Sequence, residues 1–194
     1  KYKLTLRPFS LLSNNVRSNG IVRIATPLLE NLNNELGDAV YLGVKSGKNV
    51  MYLLHFDSKK EVRINGRVGG EYPLNCSAPG KVLLSYSESD EIKTYFNDSI
   101  SKMTENTIVD YSHFNSEAIN IRQRGYAIDN EEFAKGVICI ASPVFDFDGR
   151  IVACVGLSTL TLYDSIDSLT DRKLELLKGV ADEISKKLGY NAKE

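Results

Sequence analysis

The sequence has no excess of charge of either sign. It contains 24 Lys and Arg residues against 25 Asp and Glu residues, a formal net charge of −1. Proteins hold nucleic acid mainly through clustered Lys and Arg side chains that neutralise phosphates, and the basic set Arg63, Arg67 and Arg122 is too scattered to form such a groove. The balance gives this chain no overall electrostatic reason to hold nucleic acid by itself, so any DNA contacts are expected to lie elsewhere.

Long apolar runs are also missing. No run approaches the roughly 20 residues that a membrane-spanning helix needs. The first residues, KYKLTLRPFS, lack the apolar core of a secretory signal. We therefore expect a cytoplasmic protein with no membrane partner.

Cysteine and histidine are scarce. The three cysteines, Cys76, Cys139 and Cys154, are odd in number and form no C-x-x-C pair, so neither a disulfide framework nor a zinc knuckle is indicated. Cys139 and Cys154 lie within apolar runs, which is typical of small buried thiols. No spacing joins a cysteine to His55 or His113. A hydrolase with Cys139 or Cys76 as nucleophile is therefore a weak alternative, as is a metal held by Cys139, an aspartate and a histidine.

What is present is the pattern of one globular domain, because 194 residues with 42% hydrophobic content can bury a full core. Apolar residues from Ile21 to Leu36 recur at helical spacing, with Pro27 marking either a bend or a new helix start. DAVYLGVKSGKNVMYLLHF predicts a hairpin, and GVICIASPVF with IVACVGLSTL predicts a second. A terminal helix should begin near Thr170. These elements predict an α+β fold, with one antiparallel sheet and helices packed mainly on one side.

The stretch NCSAPGKVLLS raises the question of a phosphate-binding loop. A P-loop needs Ser or Thr directly after its Gly-Lys pair, and Val82 stands there instead. Ser77 is a good N-cap, so a helix should start here with Lys81 as a solvated side chain of its first turn. Such a helix end can bind a carboxylate, but it can equally be an ordinary capped helix, and Pro79 has no N–H to donate.

A second polar group of residues lies further along the chain. Asp129 ends an extended run, Cys139 follows within a strand, and Ser158 lies in the adjoining run GLSTL. Small polar groups on an otherwise apolar sheet face would give a pocket for a small polar molecule. Taken singly, each is more often a solvated carboxylate, a core thiol or a strand-end hydroxyl. The paired acids Glu131 and Glu132 are interpreted as solvated turn charges.

Two motif blocks make the order of these segments recognisable: RVGGEYPLNCSAPGKVLLS, then IRQRGYAIDNEEFAKGVICIASPVFDFDGRIVACVGLS. Together they resemble the effector-binding domain of the IclR family of transcription regulators, over most of residues 20–190. The resemblance implies a GAF-like fold whose curved antiparallel sheet holds a small effector, often an organic acid. It also implies that residues 1–19 are the end of a truncated winged helix-turn-helix domain plus a linker helix, with 191–194 as a C-terminal tail.

Carried over by position, the resemblance implies eight effector-binding residues. They are Ala78, Pro79 and Gly80 at the helix start, then Asp129, Cys139 and Ser158, with Ile64 and Val137 as apolar walls. The chain departs from the family pattern at Asn75, where a histidine is common, at Pro79, and at Gly156, where some members have a serine. Because Pro79 removes one amide, a weaker or less acidic effector is expected.

The expected function is therefore non-enzymatic and needs no cofactor. The chain should bind a small organic acid or sugar acid and self-associate as a homodimer or homotetramer. It would then control how an N-terminal winged helix-turn-helix outside this chain meets operator DNA. A GAF-like metal or nucleotide sensor stays open as an alternative, with the cysteine-dependent hydrolase behind it.

Overall fold

The computed structural model describes residues 20–98, 100 and 102–191. The predicted linker at 1–19 and most of the predicted tail, 192–194, lie outside these residues. The elements in chain order are α1 (Gly20–Leu36), β1 (Ala39–Ser46), β2 (Asn49–Phe56), β3 (Glu71–Pro73), α2 (Ala78–Ser85), α3 (Ser89–Asn97), α4 (Tyr111–Arg124), β4 (Ala127–Asn130), β5 (Val137–Phe145), β6 (Ile151–Leu160), α5 (Ile166–Ser168), a π-helical turn (Leu169–Lys173) and α6 (Leu174–Lys187).

One curled antiparallel sheet organises the fold. Within the described residues its six strands lie in the order β3-β2-β1-β6-β5-β4 and form a half-barrel. Both predicted hairpins are present as β1–β2 and β5–β6. Register shifts at Leu42/Gly43 and Val144/Phe145 mark irregularities of the kind that bend strands. The predicted α+β class with a curved antiparallel sheet is confirmed.

Helices cover both faces of this sheet, not mainly one as the sequence analysis expected. Alternate residues of β5 point to opposite faces. Ile138 and Ile140 are buried in the core that includes α1 and α6, whereas Cys139 and Ala141 are buried in the core that includes α2, α3 and α4. Because both sets are apolar, each face needs a layer of helices to exclude water.

The first helix runs unbroken through Pro27. Thr26 bonds within this helix, since its Oγ1 donates to the carbonyl of Val22 at 2.7 Å, so no new helix starts there. Gly37 follows the helix with a φ of 71°, a conformation that glycine adopts at little cost. Among the described helices, none is both long enough and apolar enough to cross a membrane.

Three boundaries differ from the sequence predictions. The stretch EVRINGRVGGEYPL predicts a third extended segment followed by a glycine-rich loop, but only β3 is a strand there. Residues 57–70 form an irregular loop, called here the cover segment. The stretch NSEAINIRQRG predicts a short helix with Asn115 or Ser116 as N-cap and Gly125 as its end. Helix α4 begins earlier, at Tyr111, because Asp110 accepts a hydrogen bond from the His113 N–H and caps it. The terminal helical region begins at Ile166, ahead of the predicted start.

Candidate functional site

A small cavity lies between the sheet and the start of α2. Strands β1, β2, β4, β5 and β6 form its floor, Ser77 and Pro79 lie at the helix end, and Ile64 and Gly66 of the cover segment close it. Its volume is about 30 Å³, space for roughly two water molecules. In this conformation the cavity is nearly filled by its own side chains.

A row of polar residues crosses the cavity floor from strand to strand. In the sheet register Asp129 lies opposite Cys139, Cys139 opposite Ser158, and Ser158 opposite Ala39. Directly opposed residues share one face, so the three polar side chains point the same way. Cys139 Sγ lies 3.0 Å from Ser158 Oγ, and Ser158 Oγ donates to Tyr41 Oη at 3.2 Å. The sheet thus brings together residues that the sequence spaces across three separate strands.

Asp129 is the charged group of this row, and it is 1% exposed. Its Oδ1 accepts hydrogen bonds from the N–H groups of Glu132, at 2.7 Å, and Phe133, at 3.3 Å. Its Oδ2 is buried without a hydrogen-bond partner. Burial, reinforced by the nearby Glu132 carboxylate, raises the pKa of Asp129 to about 7, against the opposing effects of these hydrogen bonds and Lys81. The carboxyl is therefore divided between its neutral and ionised forms near neutral pH.

Aromatic side chains form one wall of the cavity. The rings of Tyr41 and Tyr52 stack with centroids 4.3 Å apart, those of Tyr52 and Tyr72 with centroids 4.5 Å apart. Phe133 meets the Tyr72 ring edge-on at 5.6 Å. Burial raises the pKa of each of the three tyrosines, which keeps their hydroxyls neutral. The wall is a rigid, largely apolar surface with hydroxyl groups.

Gly156 makes room for this wall. A Cβ at Gly156 would lie 2.0 Å from Tyr41 Cε2, far inside van der Waals contact. The serine that some family members have at this position would therefore displace the ring. With glycine at position 156 the cavity has no serine hydroxyl there, and the Tyr41 ring occupies the space above β6 instead.

The start of α2 leaves few donors for a ligand. Ser77 caps the helix as predicted, with its Oγ accepting from the Gly80 N–H at 3.2 Å. The Lys81 N–H donates to the Ser77 carbonyl at 2.8 Å, and Pro79 has no N–H. Gly80 serves packing, because a Cβ there would lie 2.5 Å from the Pro73 carbonyl oxygen.

The structure places six of the eight predicted residues on the cavity. Ile64, Pro79, Asp129, Val137, Cys139 and Ser158 line it. Ala78 and Gly80 do not, although both are buried at the helix start. Whether these residues bind an effector stays a prediction.

Lys81 corrects one expectation of the sequence analysis. It is 2% exposed, not solvated, and its Nζ forms an ion pair with Glu132, which is 7% exposed and also not the solvated turn charge expected. Glu117 Oε1 lies 3.8 Å from the same Nζ and 2.8 Å from Arg124. Buried charges need such partners, because an isolated ion loses its hydration. These ion pairs connect α2 to α4 and to the turn after β4.

The three cysteines are buried and free of disulfides. Burial raises the pKa of Cys76 to about 12 and that of Cys139 well above its ordinary value, so neither supplies a thiolate near neutral pH. His55 lies in the cavity with its Nδ1 3.3 Å from Asp57, and burial lowers its pKa. In the described part of the chain, no three His, Cys, Asp or Glu residues are grouped to hold a metal ion.

The sequence and the fold match a known family. The model described as "Bacterial transcriptional regulator IclR C-terminal" matches residues 13–186. The chain belongs to the IclR family. This confirms the resemblance of the two motif blocks, and because members of this family are transcription regulators, it also confirms the expectation of a protein that is not an enzyme.

Among curated proteins, this IclR-family chain is similar to "HTH-type transcriptional regulator KdgR" of Escherichia coli K12. The two are 32% identical over 192 residues, which cover 98% of this chain and 73% of KdgR. A regulatory, effector-binding domain of a transcription regulator is thus the coarse function of the chain.

Solved structures agree on the fold. The crystal structure of the Thermotoga maritima IclR protein matches with a TM-score of 0.87 and 31% identity, covering 95% of this chain and 75% of that one. The inducer-binding domain of PobR from Acinetobacter, solved with 3-hydroxybenzoic acid, has a TM-score of 0.78 and 24% identity, covering 84% and 96%. The PobR similarity speaks for the fold alone.

The cavity of this IclR-family chain contains residues that the sequence analysis missed. They are the aromatic wall of Tyr41, Tyr52, Tyr72 and Phe133, together with His55. In the sequence the tyrosines look like ordinary strand residues, because only strand pairing stacks them. Simple alternation along β2 could not have found them, because the register shift at Leu42/Gly43 puts Leu54 with the other core while Tyr52 and His55 both line the cavity.

Proposed function

We propose that the chain senses a small molecule that binds in this cavity, and that binding changes how the regulator meets its operator DNA. The observation that carries the proposal is the buried Asp129 Oδ2, a carboxylate oxygen without a hydrogen-bond partner in a site otherwise lined by apolar side chains, hydroxyl groups, a thiol and His55. Such a group costs free energy in the empty protein and gains a partner when a ligand arrives. The proposal includes a winged helix-turn-helix domain, preceding the described residues, that contacts the operator. It also places the protein in the cytoplasm.

Effector binding requires the cavity to open, because its present volume is far below that of a metabolite. The cover segment is the mobile candidate, since residues 65, 67 and 68 are exposed. Its base is fixed by Ser58, which donates to the Gly37 carbonyl, and by Lys60, which pairs with Asp38 and Asp164. The effector would bind more tightly to the arrangement in which the cover segment has shifted. Only this difference in affinity between the two arrangements can change operator binding.

A thermal-shift screen of small organic acids, sugar acids and the corresponding alcohols tests the function, with each hit measured by calorimetry. Asp129→Asn should change the dissociation constant of a hit at least about tenfold, because a hydrogen bond to a charged group contributes on the order of 2 kcal/mol. Glu131→Gln is the matched control, since Glu131 bonds the Gly136 N–H away from the cavity. Equal effects of the two substitutions would refute the proposed site.

Self-association as a dimer or tetramer is proposed as the second half of the function. Val62, Leu162 and Tyr163 support it, because all three side chains are exposed and the Val62 N–H donates to Tyr163 Oη at 3.1 Å, so they lie together on the surface. Sedimentation at micromolar concentration should give a dimer or a tetramer. A monomer alone would contradict this half of the proposal and leave the effector site standing.

A further inference from the structure

Four charged residues of alternating sign form a closed ring at the base of the cover segment, called here the charge ring. Lys60 Nζ lies 2.5 Å from Asp38 Oδ1 and 3.1 Å from Asp164 Oδ2. Lys173 Nζ lies 2.8 Å from Asp38 Oδ2 and 2.8 Å from Asp164 Oδ1. Each aspartate is thus shared between the same two lysines, and the charges of the ring balance.

The members of the charge ring come from four separate parts of the fold. Asp38 lies between α1 and β1, Lys60 in the cover segment, Asp164 between β6 and α5, and Lys173 at the end of the π-helical turn. Asp38 is fully buried, and a carboxylate that has lost its hydration needs cations beside it. The ring therefore ties the cover segment to the end of α1 and to the start of α6.

Lys60 also fixes the part of the cover segment that closes the cavity. Its Nζ lies 4.7 Å from the centre of the Tyr163 ring, a cation–π contact. Tyr163 Oη in turn accepts a hydrogen bond from the Val62 N–H at 3.1 Å. Ile64, two residues further along, lines the cavity. The contacts thus run without a break from the ammonium group to the residue that lies over the cavity.

The charge ring lies next to the cavity floor as well. Lys60 Nζ donates to Thr159 Oγ1 at 3.0 Å, and Thr159 directly follows Ser158. A void of about 10 Å³ is lined by Lys60 and Thr159 together with Ile64 and Ser158, which also line the cavity. A movement of the cover segment at the cavity would therefore change the surroundings of Lys60.

We propose that the charge ring is the latch of the cavity, with Lys60 as the positioning residue that holds the cover segment closed. Opening moves Lys60 away from both aspartates and leaves the buried Asp38 with Lys173 alone. Because Asp38 lies directly after α1, opening of the cavity is linked to the end of that helix. The inference rests on the function proposed above, since the effector enters through this opening, but the latch can be tested without an effector.

Cys139 is a natural probe of opening. It is buried in the cavity that Ile64 and Gly66 close, whereas Cys76 and Cys154 are buried and do not line the cavity. Iodoacetamide should reach Cys139 alone when the cover segment opens, but all three cysteines when the chain unfolds. Peptide mass spectrometry of the 194-residue chain gives a rate for each cysteine. The Cys139 rate divided by the Cys154 rate, called here the opening ratio, separates the two events.

Two substitutions should raise the opening ratio. Lys60→Met removes the latch cation and should raise the ratio at least about tenfold, because the closed segment loses hydrogen bonds to charged groups. Tyr163→Phe keeps the charge ring but removes the acceptor of the Val62 N–H, and it should raise the ratio about threefold.

Two other lysines are matched controls. Lys173→Met removes the second cation of the same ring, but Lys173 does not belong to the cover segment, so all three cysteines should react faster while the opening ratio does not rise. Lys59→Met removes the neighbouring lysine, whose Nζ donates to Asn34 Oδ1 at 2.7 Å outside the ring, and it should change the ratio less than about twofold.

The outcomes separate the latch from the sensor function. A wild-type opening ratio in both Lys60→Met and Tyr163→Phe overturns the latch and leaves the effector site standing. An equal rise in Lys60→Met and Lys173→Met also overturns it, because the ring would then stabilise the whole fold without a special effect on the cover segment. If Lys60→Met does not fold, the ratio of Tyr163→Phe decides in the same way. A ligand screen without a hit counts against the function but not against the latch.

Discussion

Lys81→Met is expected to lower the free energy of unfolding by about 3–5 kcal/mol, the usual cost of breaking a buried ion pair by removing one partner. The substitution preserves the length of the side chain but leaves Glu132, which is 7% exposed, without its cation. Urea denaturation at neutral pH measures the change, read as a shift of the midpoint at constant slope.

Two further variants keep this prediction falsifiable. The double change Lys81→Met with Glu132→Gln removes both charges and should recover much of the loss, because no buried ion is then unpaired. Lys93→Met is the matched surface control, since Lys93 is 53% exposed and its Nζ lies 3.8 Å from Asp90, and it should cost less than about 0.5 kcal/mol. Similar small effects of Lys81→Met and Lys93→Met would show that the buried pair is not important for stability.

Asp129→Asn is expected to gain stability relative to the wild type as pH rises. The folded-state pKa of Asp129 is about 7, above the unfolded value of about 3.9. Between these values the folded wild type binds more protons than the unfolded chain, so its stability falls by up to about 1.4 kcal/mol per pH unit and by up to about 4 kcal/mol in total. The asparagine has no such titration.

Unfolding curves from about pH 4 to about pH 8 test this expectation. The free energy of unfolding of the variant minus that of the wild type should grow across this window and become constant above it. Glu131→Gln should follow the wild type, because Glu131 lies outside the cavity. Parallel wild-type and Asp129→Asn curves would mean that Asp129 is ionised throughout, and the site would then lose its proton linkage.

Local chemistry explains what could be predicted of the fold. The start of α2 was found because Ser77 caps it through a contact three residues away. Gly125 was found as the end of α4 because its φ of 78° suits glycine. Both hairpins follow from short-range alternation and turn residues. The sequence pattern raised Asp129, Cys139 and Ser158 as a possible pocket, and the family resemblance favoured that interpretation over three unrelated residues.

Long-range pairing explains what the sequence analysis missed. Lys81 looked solvated because Glu132, its partner, lies 51 residues along the chain. The aromatic wall depends on the registry of β1, β2 and β3. Helices on both faces could have been predicted, since the continuous apolar runs of β5 and β6 are typical of strands buried on both sides.

The central claim is that an effector binds between the sheet and the start of α2, and a structure of the chain with a bound hit from the screen tests it most directly. The account predicts a polar group of the ligand within hydrogen-bond distance of Asp129 Oδ2, next to Ser158 and Pro79, with the cover segment displaced. A ligand in the surface groove formed by Lys81, Glu117 and Arg124, with the Asp129 cavity unchanged, would contradict the account.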